Sequence, residues 1–250
     1  MARRQRKPRV TVLPPAGSIK GTNRPRRSFF GRWLRRLGWL LLILFSLSIL
    51  LVLPLRWLNP PGSMVMLQRY LEAPDEPAYQ LNWQWCDYAQ LGSLPRAVVA
   101  AEDQRFVQHH GFDLIELQKA LEAAGEGGRL RGASTISQQV AKNLYLTTHR
   151  SVLRKAAEAW FTVLIETLWS KQRILEMHLN IAEWGPGTFG ACAAASQYFH
   201  RSPAELDERQ AALLAATLPA PLERSPAAPG AYTQQRAGWI LEQMPRVELP

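Results

Sequence analysis

The feature that most constrains this chain is a run of nineteen residues without a charged side chain, residues 37–55. A helix rises about 1.5 Å per residue, so a run of this length nearly spans the ~30 Å apolar core of a bilayer. A cleaved signal peptide is the alternative. Its apolar region is usually about 7–15 residues long and a small-x-small cleavage site follows it, whereas Arg56 and Trp57 come next here. We therefore predict a retained transmembrane helix over residues 37–56.

The net positive charge of the chain lies before this run. Residues 1–36 hold twelve of its 30 Lys and Arg residues and no Asp or Glu, which leaves the rest of the chain with two more acidic than basic side chains. The formal net charge of +10 therefore does not indicate a nucleic-acid-binding fold. Because Lys and Arg stay on the cytoplasmic side of membranes, we predict that residues 1–36 are a basic cytoplasmic tail and that the chain after about residue 57 lies across the membrane.

Helical periodicity dominates the remainder, and alternating strand periodicity is almost absent. A Pro-Pro-Gly break at residues 60–62 predicts that residues 57–84 are a linker leading into the main domain, with a short strand near residues 79–85. Glycines within residues 125–128 mark a flexible loop. The predicted helices open near Pro95 and cover about residues 150–169, 172–180 and 204–218, with an alanine-rich helix leading to Tyr198 and Phe199. The predicted fold class is mainly α.

The cysteines and the adjacent histidines give little support for a metal site. Cys86 and Cys192 have no Cys or His neighbour with metal-ligand spacing. They are either free buried thiols or one disulfide, and free thiols are the expected state. His109 and His110 lack a third ligand nearby, so His109 is expected to be a hydrogen-bonding partner that supports a helix end.

Glu102 directly follows four apolar residues, Val98 to Ala101, at the end of a predicted helix. A carboxylate in that position loses solvent, which raises its pKa and suits a general base near neutral pH. The alternative is a solvated surface carboxylate beside Asp103, which the pattern alone favours. The choice between the two depends on the residues that surround Glu102 in the folded chain.

Two further polar stretches carry the same ambiguity. The first is a cluster that suits either helix capping and solvent or a sugar and phosphate site, and it consists of Ser134, Thr135, Gln138, Gln139, Lys142 and Asn143. The second repeats every four residues through Arg150, Arg154 and Glu158, with Lys155 beside them. It is either a set of exposed ion pairs worth a few tenths of a kcal/mol or an anion-binding face with a second carboxylate. The same helix is predicted to bury the apolar stripe Leu153, Ala157, Trp160, Leu164 and Leu168.

Together these stretches resemble the peptidoglycan glycosyltransferases, glycosyltransferase family fifty-one, most closely the monofunctional membrane-anchored members. The first motif is carried by Glu102, Asp103, Phe106, His109 and Gly111, and the second by residues 132–143. Arg154, Lys155 and Glu158 carry the third, residues 171–190 with Asn180 the fourth, and Ala193, Ala194, Tyr198 and Phe199 a shorter fifth. The resemblance spans about residues 85–221. His178 departs from it, since many members have Tyr there, and we expect a packing variation.

The resemblance implies a lysozyme-like, mainly helical glycosyltransferase domain over residues 85–250, preceded by a single transmembrane helix. It implies polymerisation of lipid II into β-1,4-linked glycan with release of undecaprenyl pyrophosphate. Glu102 would be the base and Glu158 would have a supporting role at the leaving group. The implied substrate contacts are Asp103, Phe106, His109, Gly111, Ser134, Thr135, Gln138, Gln139, Lys142, Asn143, Arg150, Arg154, Lys155 and Asn180.

The implied partners are lipid II, lipid-linked glycan, the membrane and other cell-wall synthesis proteins, and no nucleic acid. No cofactor is firmly predicted, although a divalent cation (Mg²⁺ or Mn²⁺) at the pyrophosphate is compatible with the resemblance. The expected location is the bacterial inner membrane, with the catalytic domain in the periplasm. No Ser-x-x-Lys tetrad occurs, so we expect no penicillin-binding transpeptidase activity. A wall hydrolase of the same broad fold and a non-catalytic scaffold are the alternatives, and the Arg and Lys face argues against the first.

Overall fold

A computed structural model describes Thr11 and residues 29–73, 80–125 and 134–250 of the chain. Most of the predicted basic tail lies outside the described residues, as do Tyr79, Gly132 and Ala133 and most of the predicted glycine loop. The chain divides into two units, one ending at Leu44 and the other beginning at Phe45.

The apolar run forms helix α1, Phe29–Val52, followed by a 3-10 turn, Leu53–Arg56. Within it, Gly31–Arg56 is long and apolar enough to cross a membrane, as the sequence predicts. The helix begins before the predicted boundary at residue 37. Arginine has a high helix propensity, so the basic residues that precede the apolar run continue the same helix.

The second unit, from Phe45, is mainly helical, and the prediction of a mainly α fold is confirmed. Within its described residues, the helices are α2 Met64–Glu72, α3 Leu94–Glu102, α4 Leu114–Gly125, α5 Ile136–Tyr145, α6 Val152–Leu168, α7 Lys171–Ile181, α8 Ala191–Phe199, α9 Glu208–Thr217 and α10 Ala231–Gln243. The core forms where α5 packs against α6 and α7, and where α9 packs against α3 and α10. Helix α10 was not predicted from the sequence, and it covers the end of α3.

A small sheet of three strands lies beside this core. Its strands are β1 Asn82–Trp83, β2 Glu183–Gly185 and β3 Thr188–Phe189, with β3 in the middle. β3 pairs in parallel with β1 and antiparallel with β2. Strands of two or three residues are too short to show an alternating pattern, which is why the sequence predicted only the first of them.

The predicted linker is partly wrong, because it contains α2, which packs against α5. Ser63 caps α2 by accepting a hydrogen bond from the Met66 amide at 3.2 Å. The side chain of Gln68 then donates to the Thr148 hydroxyl at 2.7 Å and accepts from the Thr148 amide at 2.8 Å. Helix α2 is therefore part of the domain.

The last residues of the apolar run belong to the same domain. Val52 is fully buried, and its carbonyl accepts a hydrogen bond from the indole of Trp169 at 3.0 Å. Arg173 donates to the carbonyls of Leu55 and Leu58 at 3.0 and 2.7 Å. These contacts fix residues 52–58 against the ends of α6 and α7.

Cys86 and Cys192 form a disulfide, so the expectation of free thiols is wrong. The bond joins the segment before α3 to α8 across 106 residues of sequence. That separation carries no information about spatial distance, so spacing could not decide the question. The side chain of Asn180 also fixes the backbone of Cys86, because it accepts from the Cys86 amide at 2.7 Å and donates to the Cys86 carbonyl at 2.8 Å.

Replacing both cysteines with alanine should lower the free energy of unfolding by about 2–4 kcal/mol, because a long crosslink restricts the unfolded chain. Thermal unfolding of the detergent-solubilised protein, with and without dithiothreitol, measures this. The reductant should lower the Tm of the wild type and leave the double variant unchanged. A wild-type Tm that does not respond to the reductant would contradict a stabilising disulfide.

Candidate active site

Glu102 is the last residue of α3 and is only partly exposed. Its Oε2 accepts a hydrogen bond from the side-chain amide of Gln139, on α5, at 2.8 Å. Burial raises the pKa of the Glu102 carboxyl above its ordinary value, while the Gln139 hydrogen bond and the charges of Arg236 and Lys142 act in the opposite direction. The raised pKa suits a group that must accept a proton near neutral pH.

The segment after Glu102 is fixed to the start of α5 by one carboxylate. Asp103 is buried, and its Oδ1 lies 2.9 Å from Nε2 of His109. Its Oδ2 accepts a hydrogen bond from the Ile136 amide at 3.1 Å. Thr135, the N-cap of α5, donates from its hydroxyl to the carbonyl of Gly111 at 2.7 Å. The first two motifs are therefore held together by their own side chains.

Both the backbone conformation at position 111 and the close packing around it require glycine. Its φ of +89° lies in the region that favours glycine. A Cβ at this position would lie 2.8 Å from a methyl carbon of Thr162, on α6. The glycine therefore lets the loop pass closely over α6, which is a structural role.

Four predicted substrate contacts line none of the cavities described below, and for them the structure shows contacts within the protein, so their role towards a substrate stays a prediction. They are Phe106, which is fully buried in the core, His109 and Gly111, which hold the loop, and Asn180, whose side chain bonds to the backbone of Cys86. Residues of a sequence motif can therefore support a site by packing or hydrogen bonding beneath it, as well as by lining it.

Asp103, His109 and Asp113 lie close enough together to suggest a metal site. Several of their polar atoms have partners within the protein, because Asp103 pairs with His109, and Oδ1 of Asp113 accepts from the amides of Ile115 and Glu116 at 3.0 and 3.1 Å. The guanidinium of Arg105 lies 3.5 Å from the second oxygen of Asp113. A cation of the protein itself therefore already faces this cluster.

Two cavities meet beside Glu102. The first, of about 390 Å³, is lined by Glu102, Asp103, Gln104, Arg105, Asp113, Glu116, Lys119, Ser134, Thr135 and Trp239. The second, of about 280 Å³, is lined by Ser134, Gln138, Gln139, Lys142, Thr148, Arg150, Arg154, Lys155 and Glu158. Ser134 lines both. Glu102 and its partner Gln139 therefore lie where the two cavities adjoin.

The second cavity is strongly cationic. It has four basic side chains, Lys142, Arg150, Arg154 and Lys155, against the single carboxylate of Glu158. Glu158 is buried, and its two oxygens accept from Arg154, at 2.8 Å, and from Lys155. Such an arrangement holds the cations in place and leaves an excess of positive charge for an anion.

Lys142 lies between this cavity and a third one of about 190 Å³. The third cavity is lined by Val65, Arg69, Gln139, Lys142, Asn143, Thr148, Ala182, Glu183, Leu218, Pro219 and Pro221. Burial lowers the pKa of the Lys142 ammonium, while the nearby carboxylate of Glu158 acts in the opposite direction. The first and second cavities share Ser134, and the second and third share Gln139, Lys142 and Thr148, so the three lie side by side along α5. We refer to them together as the cleft.

His178, the departure from the family pattern, lies buried in α7. Within the part of the chain that the structure describes, neither ring nitrogen has a hydrogen-bond partner. Burial and the charge of Lys142 lower the pKa of His178 to about 4, so the ring is neutral at physiological pH. The residue packs beneath the cleft, in keeping with a packing variation.

The sequence analysis missed several cavity-lining residues. Gln104, Arg105, Glu116, Lys119 and Trp239 line the first cavity without belonging to any predicted contact set. Trp239 lies on α10, a helix that was not predicted. Scattered charged and aromatic residues of this kind give no sequence signal until the fold brings them to one place.

Thr135→Val should lower the free energy of unfolding by about 1–2 kcal/mol, because it removes the α5 cap and the hydrogen bond to Gly111. Thr135→Ser is the matched control, since it keeps the hydroxyl and should remain close to the wild type. Urea denaturation followed by circular dichroism measures both. Equal stability of the valine variant and the wild type would show that this hydroxyl does not hold the two motifs together.

Comparison with known proteins agrees with this arrangement. Residues 74–245 match the family model described as Transglycosylase. A biosynthetic peptidoglycan transglycosylase of Pseudomonas aeruginosa is 53% identical over 220 residues, which cover 87% of this chain and 93% of that relative. Proteins with the same description are 53% identical over 222 residues in Xanthomonas axonopodis pv. citri (88% and 89% covered) and 50% identical over 214 residues in Xylella fastidiosa (84% and 88% covered). The chain therefore belongs to the transglycosylase family.

Proposed function

We propose that the protein is a peptidoglycan glycosyltransferase that joins lipid II units into β-1,4-linked glycan strands and releases undecaprenyl pyrophosphate. The observation that carries the proposal is the position of one partly buried carboxylate, Glu102, beside a cavity with four basic side chains. A lipid pyrophosphate has the charge that such a cavity binds, and a sugar hydroxyl needs the base. The match to biosynthetic peptidoglycan transglycosylases supports the same reaction.

In the proposed reaction, the C4 hydroxyl of the acceptor N-acetylglucosamine attacks C1 of the donor N-acetylmuramic acid. The hydroxyl proton passes to the carboxylate of Glu102 as the new C1–O bond forms. The bond from C1 to the pyrophosphate breaks on the opposite side, so the configuration at C1 inverts. Gln139 keeps the accepting carboxylate in one orientation, and burial gives it the basicity that the transfer needs.

The leaving pyrophosphate gains negative charge as the bond breaks. Fixed cations that face this charge stabilise the transition state more than the ground state. Lys142, Arg150, Arg154 and Lys155 line one cavity and are proposed to supply that charge. Glu158 is proposed as a positioning residue, because it holds Arg154 and Lys155 from below.

The contacts of Glu158 also bear on a divalent cation at the pyrophosphate. Both of its oxygens are engaged by basic side chains, so it has no free oxygen to offer a resident metal ion. The other residues that line this cavity contribute amides, hydroxyls and cations, which fit a phosphate better than Mg²⁺ or Mn²⁺. The donor set therefore does not fit a resident metal, and the proposed mechanism uses none.

The proposed location is the cytoplasmic membrane, with the cationic tail inside and the catalytic domain outside. The twelve basic residues before the charge-free run at residues 37–55 support this orientation. The Cys86–Cys192 disulfide supports it independently, because disulfides persist in oxidising compartments such as the periplasm. Both sugar substrates are bound to lipid, so an anchored domain meets them at a high local concentration.

Glu102→Gln should reduce lipid II polymerisation by at least about 100-fold, because an amide cannot accept the hydroxyl proton. The measurement uses labelled lipid II and full-length protein, with lysozyme-sensitive polymer as the readout. In the wild type, the rate should fall with decreasing pH through a pKa above the ordinary range of Glu, since only the ionised carboxylate acts as a base. Unchanged polymerisation by the Gln variant would remove Glu102 as the base.

Lys155→Ala should lower kcat/KM about 10- to 100-fold, less than for a fully buried donor because Lys155 is half exposed. The Tm should change little for the same reason. Lys155→Arg, which keeps the charge, should recover most of the activity. An alanine variant with wild-type kinetics would contradict the role of the cationic cavity at the leaving group.

A further inference from the structure

Helix α10 packs against α3, and an arginine of α10 makes a hydrogen bond to the end of α3. Nη2 of Arg236 donates a hydrogen bond to the carbonyl of Ala101 at 2.8 Å. Ala101 directly precedes Glu102, and carbonyls in the last turn of a helix have no partner within the helix. Arg236 therefore caps α3 at the residue where the proposed base is attached.

Arg236 is itself held in place by an aromatic ring. Its guanidinium carbon lies 4.1 Å from the centroid of the Trp239 ring, three residues further along α10. Trp239 also lines the first cavity, together with Glu102. A planar guanidinium stacked on a ring loses most of its freedom, and this leaves its donors pointing in fixed directions. The pair therefore connects the cavity wall to the backbone that bears the base.

Arg236 and Lys142 are the cations, among the described residues, that act on the Glu102 carboxylate, and Arg236 acts more strongly. They approach from different helices, α10 and α5. Gln139 faces the carboxylate from α5 as well, and Asp103 opposes the cations from the adjacent position in the chain. The cavity beyond carries a mixed set of charges, Arg105, Asp113, Glu116 and Lys119. Removing Arg236 would therefore change the electrostatic balance at Glu102 more than removing Lys142 would.

We propose that Arg236, held by Trp239, is a positioning residue for glycosyl transfer that fixes the end of α3 and keeps the Glu102 carboxylate ready to accept a proton. This inference rests on the proposed function of Glu102 as the base. It gives α10 a role in the reaction, although the helix carries none of the motifs that the sequence analysis used.

The test compares Arg236→Gln and Arg236→Lys with the matched control Arg224→Gln. Arg224 also stacks on an aromatic residue of α10, with its guanidinium carbon 4.5 Å from the Tyr232 ring. It also donates to a carbonyl near a helix end, that of Ala216 at 3.4 Å. Arg224 is not among the groups that shift the pKa of Glu102. The control therefore reproduces the stabilising contacts without the effect on the base.

Rates of lipid II polymerisation are measured from about pH 5 to 9 with full-length protein, together with the Tm of each variant. Loss of the positive charge raises the pKa of Glu102 further, so the acid side of the kcat profile in Arg236→Gln should move to higher pH. On that side the rate should fall about 3- to 10-fold, since each pKa unit changes the ionised fraction tenfold there. Arg236→Lys should restore the profile, and Arg224→Gln should lower only the Tm.

A second readout does not depend on turnover. The carboxyl carbon of Glu102, assigned in ¹³C NMR spectra by its absence in Glu102→Gln, should titrate at higher pH in Arg236→Gln than in the wild type. Trp239→Leu should produce a smaller change in the same direction. A wild type that makes no polymer but shows this titration difference would overturn the proposed function alone. An unchanged titration and an unmoved kcat profile in Arg236→Gln, with only a lower Tm, would overturn the positioning role.

Discussion

The site depends on the buried carboxylate of Asp103. One oxygen meets His109 and the other accepts from the first amide of α5, so a single side chain joins the end of α3 to the start of α5. An ionised acceptor makes stronger hydrogen bonds than a neutral one, and burial excludes competing water. Together with the hydrogen bond from Thr135 to Gly111, this connection holds Glu102 and Gln139 at a fixed distance although they belong to two helices. The position of Glu102, the proposed base, therefore depends on its neighbour in sequence.

A carboxylate with a raised pKa and a cavity rich in positive charge lie close together in this site. As the proposed base, Glu102 needs an environment that disfavours its charge, and the adjacent cavity concentrates positive charge that would favour it. Two of the four cations of that cavity, Arg154 and Lys155, are paired with Glu158. The side chain that donates a hydrogen bond to the Glu102 carboxylate is Gln139, a neutral amide. Burial therefore still raises the pKa of Glu102 beside a cationic cavity.

The sequence predicted the position of several helices well, as in α3 and α7. It failed where burial depends on partners distant in the chain. Leu153 and Trp160 were placed in an apolar stripe of α6, and their exposed fractions are 83% and 41%, whereas Leu164 of the same stripe is buried. The family motifs identified the residues of the site but not the way each one serves it. Asn180 supports Cys86, and Phe106 fills the core, whereas Trp239 reaches the cavity from a helix with no motif.

The burial of Val52 has a consequence for how the apolar helix leads into the domain. Trp169 and Arg173 bond to carbonyls within residues 52–58, so the end of α1 is packed against the ends of α6 and α7. A slack tether would leave these carbonyls to solvent and would allow the chain to pivot freely at this point. Here the residues that follow the apolar run contribute a buried side chain and several hydrogen-bond acceptors to the domain, so the connection is itself a part of the folded structure.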